Sequence, residues 1–209
     1  MSRLIAVGDI HGEIGKLNSL LEKLDLTKSD TVVFLGDYID RGKNPKLVVE
    51  KLVELSKGTN CIFLKGNHED MMLKILETRN YDDIEHWLLS GGISTYDSYG
   101  DFPAIFNTHR AFFENLKPYY MTDKYFFVHA GINPEKALNE QTDDDLYWIR
   151  EEFYRKPHPL KQKIIFGHTP FSKPYIADDK IGIDTGCEKE PDAPLTAFIC
   201  DDETFVNSQ

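Results

Sequence analysis

The sequence predicts an α/β fold in which two packed, mixed β-sheets are flanked by helices. Three observations predict it: three βα units in succession at the start of the chain, a mostly β second half, and no internal repeat or low-complexity linker. At 209 residues the chain can bury one substantial core, so a single domain, 1–209, is expected.

The apolar run Leu4–Val7 is the first strand. Glu13–Leu24 follows as a helix, because Ile14, Leu17, Leu20, Leu21 and Leu24 recur at helical spacing. Thr31–Leu35 is β-branched and forms the second strand. Asn44 before Pro45 predicts an N-cap and first residue for a helix to about Leu55, since the first turn tolerates a missing N–H. Cys61–Leu64 is the third strand, and Met71, Met72, Ile75 and Leu76 mark the helix after it. From about 79 to 123 the pattern changes to scattered aromatics around Gly91-Gly92, which predicts a helical insertion packed over the sheet. Strands return at Tyr125–Val128, Lys163–Phe166, Ile181–Ile183 and Thr196–Cys200, and Asp201-Asp202 turns the chain into a hairpin partner at Thr204–Val206.

Composition narrows the function classes. It is ordinary for a globular protein, with 41% hydrophobic and 28% charged residues. Asp9 and His11 interrupt the first apolar run before a secretory leader could form, and no stretch approaches the roughly 20 apolar residues that cross a bilayer. A cytoplasmic location without a membrane partner is therefore expected. A formal net charge of −11 speaks against a nucleic-acid partner, because Lys and Arg supply that affinity. It leaves phosphorylated substrates open, since bound cations supply local positive charge whatever the overall balance. Cys61, Cys187 and Cys200 are odd in number, widely spaced and set in or beside apolar segments, and are expected as buried free thiols.

The polar motifs sit where strands end. Gly8-Asp9-Ile10-His11-Gly12, Gly36-Asp37-Tyr38-Ile39-Asp40-Arg41-Gly42 and Gly66-Asn67-His68-Glu69 follow the first three strands, and Val128-His129-Ala130-Gly131 and Phe166-Gly167-His168-Thr169 follow two later ones. Ligands of α/β sheets bind beyond the carboxyl ends of strands, so these loops should converge. Each motif alone is compatible with ordinary turn chemistry, but five of them at strand ends are not. Oxygen and imidazole donors without thiolate suit Mn, Fe, Zn or Co. A carboxylate can bridge two such ions, and a pair of ions can activate water while binding phosphoryl oxygens, so a hydrolytic two-metal site fits the inventory.

The ordered set Gly-Asp-x-His-Gly, Gly-Asp-x-x-Asp-Arg-Gly, Gly-Asn-His-Glu, His-Ala-Gly and Gly-His-Thr resembles the phosphoprotein phosphatase family of binuclear metallophosphatases, from about Leu4 to Gly186. His86-Trp87-Leu88-Leu89-x-Gly91-Gly92 and Trp148-Ile149-Arg150 look like elements of its small bacterial and phage-lambda branch. The resemblance implies the calcineurin-like four-layer αββα fold and two divalent metal ions, manganese first, with Fe, Zn, Ni or Co compatible. It also implies the ligands: Asp9 and His11 on one metal, Asp37 bridging, and Asn67, His129 and His168 on the other. By the same resemblance Arg41 and Arg150 hold the phosphate, His68 is the general acid that protonates the leaving oxygen, and Asp40 orients it, while a metal-bridging water attacks phosphorus in line.

What this implies is a serine/threonine protein phosphatase, with dual specificity open, acting on phosphorylated proteins or peptides. The rival is a symmetrical bis(5'-nucleosyl)-tetraphosphatase acting on a dinucleoside polyphosphate, which shares nearly every motif; chain length favours the phosphatase. A metal-binding scaffold without catalysis would need none of His68, Asp40, Arg41 and Arg150. Thr169-Pro170 stands where metallophosphodiesterases carry a second His, which favours a monoesterase. His86, His109 and His158 lie outside the motifs and are read as structural or solvated. Glu69 and Asp70 are read as acids favourable in a first helical turn, and Asp143-Asp144-Asp145 as the start of a helix leading to Arg150.

Overall fold

The structure is a computed structural model that describes residues 2–209, apart from the side chains of residues 76 and 77; the apolar role expected of Leu76 thus lies outside the described residues. Two five-stranded sheets form its centre. In the first, β1 (Leu4–Val7), β2 (Thr31–Phe34) and β3 (Asn60–Phe63) run parallel, and β9 (Thr196–Ile199) and β10 (Thr204–Asn207) add an antiparallel hairpin on the β1 side. In the second, β5 (Tyr125–Val128), β6 (Lys163–Phe166) and β8 (Lys180–Gly182) are parallel, with β4 (Tyr119–Met121) and β7 (Tyr175–Ile176) as antiparallel edges. Both sheets are mixed, as expected.

Alternation along the strands separates three apolar layers. Ile5 and Val7 of β1 join the cluster beneath α1 (Ile14–Leu24) and α2 (Pro45–Leu55), whereas Ala6 between them faces the other sheet. Val33, Ile62, Phe127, Ile165 and Phe198 complete the inter-sheet layer with Ala6. On the far face of the second sheet Phe126, Val128, Ile164 and Phe166 pack against Leu146 and Tyr147 of α7 (Asp143–Tyr147) and Phe153 of α8 (Glu151–Tyr154). Each such fully buried side chain contributes about 1.5–3 kcal/mol. The result is the four-layer αββα arrangement.

α3 (Asn67–Thr78) starts directly after the third strand, so Asn67 and His68 occupy its first turn. The 79–123 stretch holds α4 (Tyr81–Trp87), a kinked turn at Leu88–Gly92 where Gly91 has φ 115°, α5 (Ile93–Tyr99) and α6 (Phe102–Glu114). Its end differs from the helical expectation, since Tyr119–Met121 pairs with β5 as an edge strand. Asn44 stands at the N-cap of α2 with Pro45 next, but its side chain makes no capping bond. No helix among the described residues is long and apolar enough to cross a membrane. Cys187 and Cys200 are buried and Cys61 half-buried, all three free.

Candidate binuclear metal centre

Six parallel strands point their carboxyl ends at one cleft, three from each sheet. Asp9 and His11 follow β1, Asp37, Asp40 and Arg41 follow β2, Asn67 and His68 follow β3, His129 follows β5 and His168 follows β6. The loops are tight enough that His11, Asp37, Asp40, Arg41 and His168 take left-handed backbone angles, φ 45° to 69°. Non-glycine residues accept that cost where the surroundings over-determine them. Glycine is required where strands from different sheets meet: a side chain at Gly66 would collide with Asp37 Oδ1, and one at Gly167 with Asp9 Oδ1.

The expected ligands are buried and their donor atoms converge. Asp37 turns Oδ2 to 3.3 Å from His11 Nε2 and Oδ1 to 3.5 Å from His129 Nε2. Asn67 Oδ1 lies 2.9 Å from His129 Nε2 and 2.9 Å from His168 Nδ1. Asp9 accepts the His168 N–H on Oδ2 at 2.9 Å, and its Oδ1 is buried without a partner. Each imidazole donates its other N–H to a main-chain carbonyl: His11 Nδ1 to Ile39, His129 Nδ1 to Leu35, and His168 Nε2 to Trp148. Those bonds set the tautomers, leaving His11 Nε2, His129 Nε2 and His168 Nδ1 with lone pairs aimed inward.

Two groups could each hold an ion, Asp37 with His129 and His168, and Asp37 with His11 and His68. Asp37 belongs to both. In the group with His11, His68 takes the place that the sequence assigned to Asp9. His68 Nδ1 is meanwhile committed to Asp40 Oδ2 at 2.7 Å. Across the cleft Arg41 Nη1 lies 2.9 Å from both His11 Nε2 and Glu188 Oε1, and Arg150 Nη1 donates to the His168 carbonyl at 3.1 Å. Arg41, Arg150 and His168 line an open hollow of about 380 Å³ with Pro170, Glu188 and Lys189.

The electrostatics call for a cation. Burial, then the Asp184 and Asp37 carboxylates, push Asp9 well above the usual carboxylate range. Burial likewise lifts Asp184 to about 6. Burial acts against charge on His11, yet Asp37 outweighs it and raises the imidazole to about 9. Acids that resist ionising, an orphaned carboxylate oxygen and inward lone pairs fit divalent metal ions, which displace protons from such ligands.

Five supporting residues were given no role in the site by the sequence reading. Glu69 is fully buried and accepts the main-chain N–H of Asp37 (2.9 Å), Tyr38 (2.8 Å) and Gly66 (3.1 Å), so it shapes the loop that carries Asp37. Its place three residues after Gly66, where a carboxylate reaches back to the N-cap N–H, was a signal for it. Asp184 stands beyond β8 as the other acids stand beyond their strands, and strand-end placement would have found it. Trp87 stood in the His86–Gly92 motif with no role assigned to it, and Thr95 and Glu188 had no local signal. Of the three histidines set aside, His109 is bonded to the Tyr99 hydroxyl and His158 to the Asp179 carbonyl, while His86 is exposed.

Residues 2–202 match the calcineurin-like phosphoesterase family. The chain belongs to that family. A bis(5'-nucleosyl)-tetraphosphatase of Oceanobacillus iheyensis, named as asymmetrical, is 27% identical to this phosphoesterase over 96% of this chain and 90% of its own. Serine/threonine-protein phosphatase 2 of Escherichia coli is 31% identical over 86% of this chain and 85% of its own, in keeping with the phosphoprotein phosphatase resemblance. A crystal structure described as a putative diadenosine tetraphosphatase superposes with a TM-score of 0.77 over 98% of this chain and 92% of its own, at 21% identity, which shows the shared fold. Length does not separate the two activities, because the chain covers 90% of one relative and 85% of the other.

Proposed function

We propose that this phosphoesterase is a metal-dependent phosphomonoester hydrolase acting on phosphorylated serine or threonine in proteins. The observation that carries the reading is Asp37, whose two oxygens face His11 on one side and His129 on the other. Asp37 would be shared by two divalent cations, with Asp9 and His11 holding one and Asn67, His129 and His168 the other. Manganese is the first choice. Bound there, the cations supply Lewis-acid charge and lower the pKa of water.

The chain's own residues do the rest. Arg41 and Arg150 hold phosphoryl oxygens, for which planar, permanently charged forks are suited. Arg41 Nη1 lies 2.9 Å from His11 Nε2, and its guanidinium would be free for the substrate if that nitrogen held a cation. His68 acts as the acid and not as a ligand, because Asp40 holds its Nδ1 and thereby directs Nε2–H outward from the dyad, while Asp9 Oδ1 still lacks a partner. The shallow opening between two exposed arginines admits a phosphorylated side chain on a folded surface.

A second reading, hydrolysis of a dinucleoside tetraphosphate, draws on a neighbouring hollow of about 720 Å³. It shares Pro170 and Lys189 with the cleft and is walled by Phe171, Lys173 and Phe205, enough room for a nucleoside. Metal-stripped protein resupplied with Mn decides between them on a phosphoserine peptide, a phosphotyrosine peptide and diadenosine tetraphosphate. Metal-dependent phosphate release from the phosphoserine peptide is expected. Turnover of the dinucleotide alone selects the second reading, and silence on all three with two metals bound overturns both.

A further inference from the structure

The helical segment between Tyr81 and Tyr99 reaches into the dyad of His68 and Asp40. Trp87 closes α4, Gly91 kinks the chain with φ 115°, and Thr95 follows in α5. All three touch Asp40 or Arg41. Trp87 Nε1 donates to Asp40 Oδ2 at 2.9 Å, the oxygen that also meets His68 Nδ1 at 2.7 Å. Thr95 Oγ1 donates to Asp40 Oδ1 at 2.6 Å and accepts the Asp40 N–H at 2.9 Å. The Gly91 carbonyl accepts the Arg41 N–H at 3.1 Å. Asp40, Trp87 and Thr95 are each 0% exposed, so no water competes for these bonds.

A carboxylate that receives donors on both oxygens from rigid, buried groups cannot rotate. Its one remaining partner, the His68 ring, then takes its orientation from helices α4 and α5. We propose that Trp87 and Thr95 are positioning residues for proton delivery: they lock the Asp40 carboxylate so that His68 presents Nε2–H to the leaving oxygen. This rests on the reading of His68 as the general acid. In the step served, the bond from phosphorus to the leaving oxygen breaks with its electron pair going to that oxygen, which takes the His68 Nε2 proton. The oxygen of a water forms the new bond to phosphorus, and the proton that water loses restores His68 through solvent.

A role confined to packing predicts equal loss on every substrate, whereas a role in proton delivery depends on the leaving group. An alkoxide leaving group needs the proton, and p-nitrophenolate needs it far less. Thr95→Val and Trp87→Phe should each lower kcat on a phosphoserine peptide by about tenfold or more, within the range of a general acid's contribution. Loss on p-nitrophenyl phosphate should stay within about threefold on the same ground, with two metals still bound. Thr95→Ser, which keeps the hydroxyl, should restore the peptide rate. Equal losses on both substrates, or a Thr95→Ser variant as slow as Thr95→Val, overturns the proposal. His68→Asn is the control: if it discriminates between the substrates and the Thr95 and Trp87 variants do not, positioning fails alone. If His68→Asn does not discriminate, the acid reading fails and takes the positioning role with it. Should Thr95→Val fail to fold, Trp87→Phe carries the same comparison.

Discussion

Asp37 Oδ2 lies 3.3 Å from His11 Nε2, two groups from different strand ends that are each almost fully buried. Asp37 is held well below its ordinary range because His129, His68 and His11 outweigh the burial that acts against its charge.

Metal binding should therefore appear as stability. At a free concentration about 100 times its Kd, Mn should stabilise the protein by about 2.7 kcal/mol over the metal-stripped form. In Asp37→Asn that gain should largely vanish and the metal content should fall below two per chain. Thermal melts with and without Mn, read beside elemental analysis, check it; an undiminished shift in the variant would rule out a bridging role.

Glu69 should matter to both stability and the site. Replacing it with Gln turns an amide N–H toward main-chain donors of the Asp37 and Gly66 turns. The loss of an acceptor for buried N–H groups should cost about 3 kcal/mol in urea unfolding and weaken metal binding with it. A variant of wild-type stability would show that these bonds are dispensable.

Gly131, third residue of the His-Ala-Gly motif, is needed for space: a side chain there would run into the Phe153 ring. Phe153 belongs to the short helix that begins just after Arg150. Gly131→Ala should destabilise by about 1–3 kcal/mol through overpacking. If Arg150 holds phosphate, inhibition by inorganic phosphate should weaken in the same variant, and this is measured by its inhibition constant.

Asp30 predicts a pH dependence remote from the cleft. Arg3 donates to it at 2.6 Å and the Thr27 N–H at 2.9 Å, and the Arg3 hydrogen bond, ahead of any other influence, holds the carboxyl well below the usual range. A depressed carboxyl stabilises fully above its unfolded pKa, and the contribution is lost as pH falls through the folded one. Asp30→Asn should thus be less stable by about 1–3 kcal/mol near neutrality, with the difference shrinking below about pH 4. Urea unfolding across that range tests the sign; a gap that widens in acid would contradict it.

Patterned elements were legible residue by residue. Leu4–Val7, Pro45–Leu55, Tyr125–Val128 and Lys163–Phe166 have the bounds that periodicity and capping predicted. The edge strands Tyr119–Met121 and Tyr175–Ile176 were not legible, because strands of three and two residues show no period and take their conformation from the neighbour they pair with. The same division runs through the site. Strand-end glycines and acids announced Asp9, Asp37 and Asn67, yet no role could be read for Trp87 or Thr95, since a buried Trp and a helical Thr look the same whether or not a carboxylate lies beyond them.

From sequence alone came the order of strands and helices, the polar residues at strand ends and the donor set without thiolate, because all of these are local in the chain. Which of those residues meet was decided only by tertiary structure. Asn67 and His168 stand 101 positions apart, on different sheets, yet Asn67 Oδ1 and His168 Nδ1 come within 2.9 Å. Packing Ala6, Val33 and Ile62 against Phe127, Ile165 and Ile181 stacks the two sheets with their parallel strands ending at one cleft, and so converts scattered motifs into a single centre.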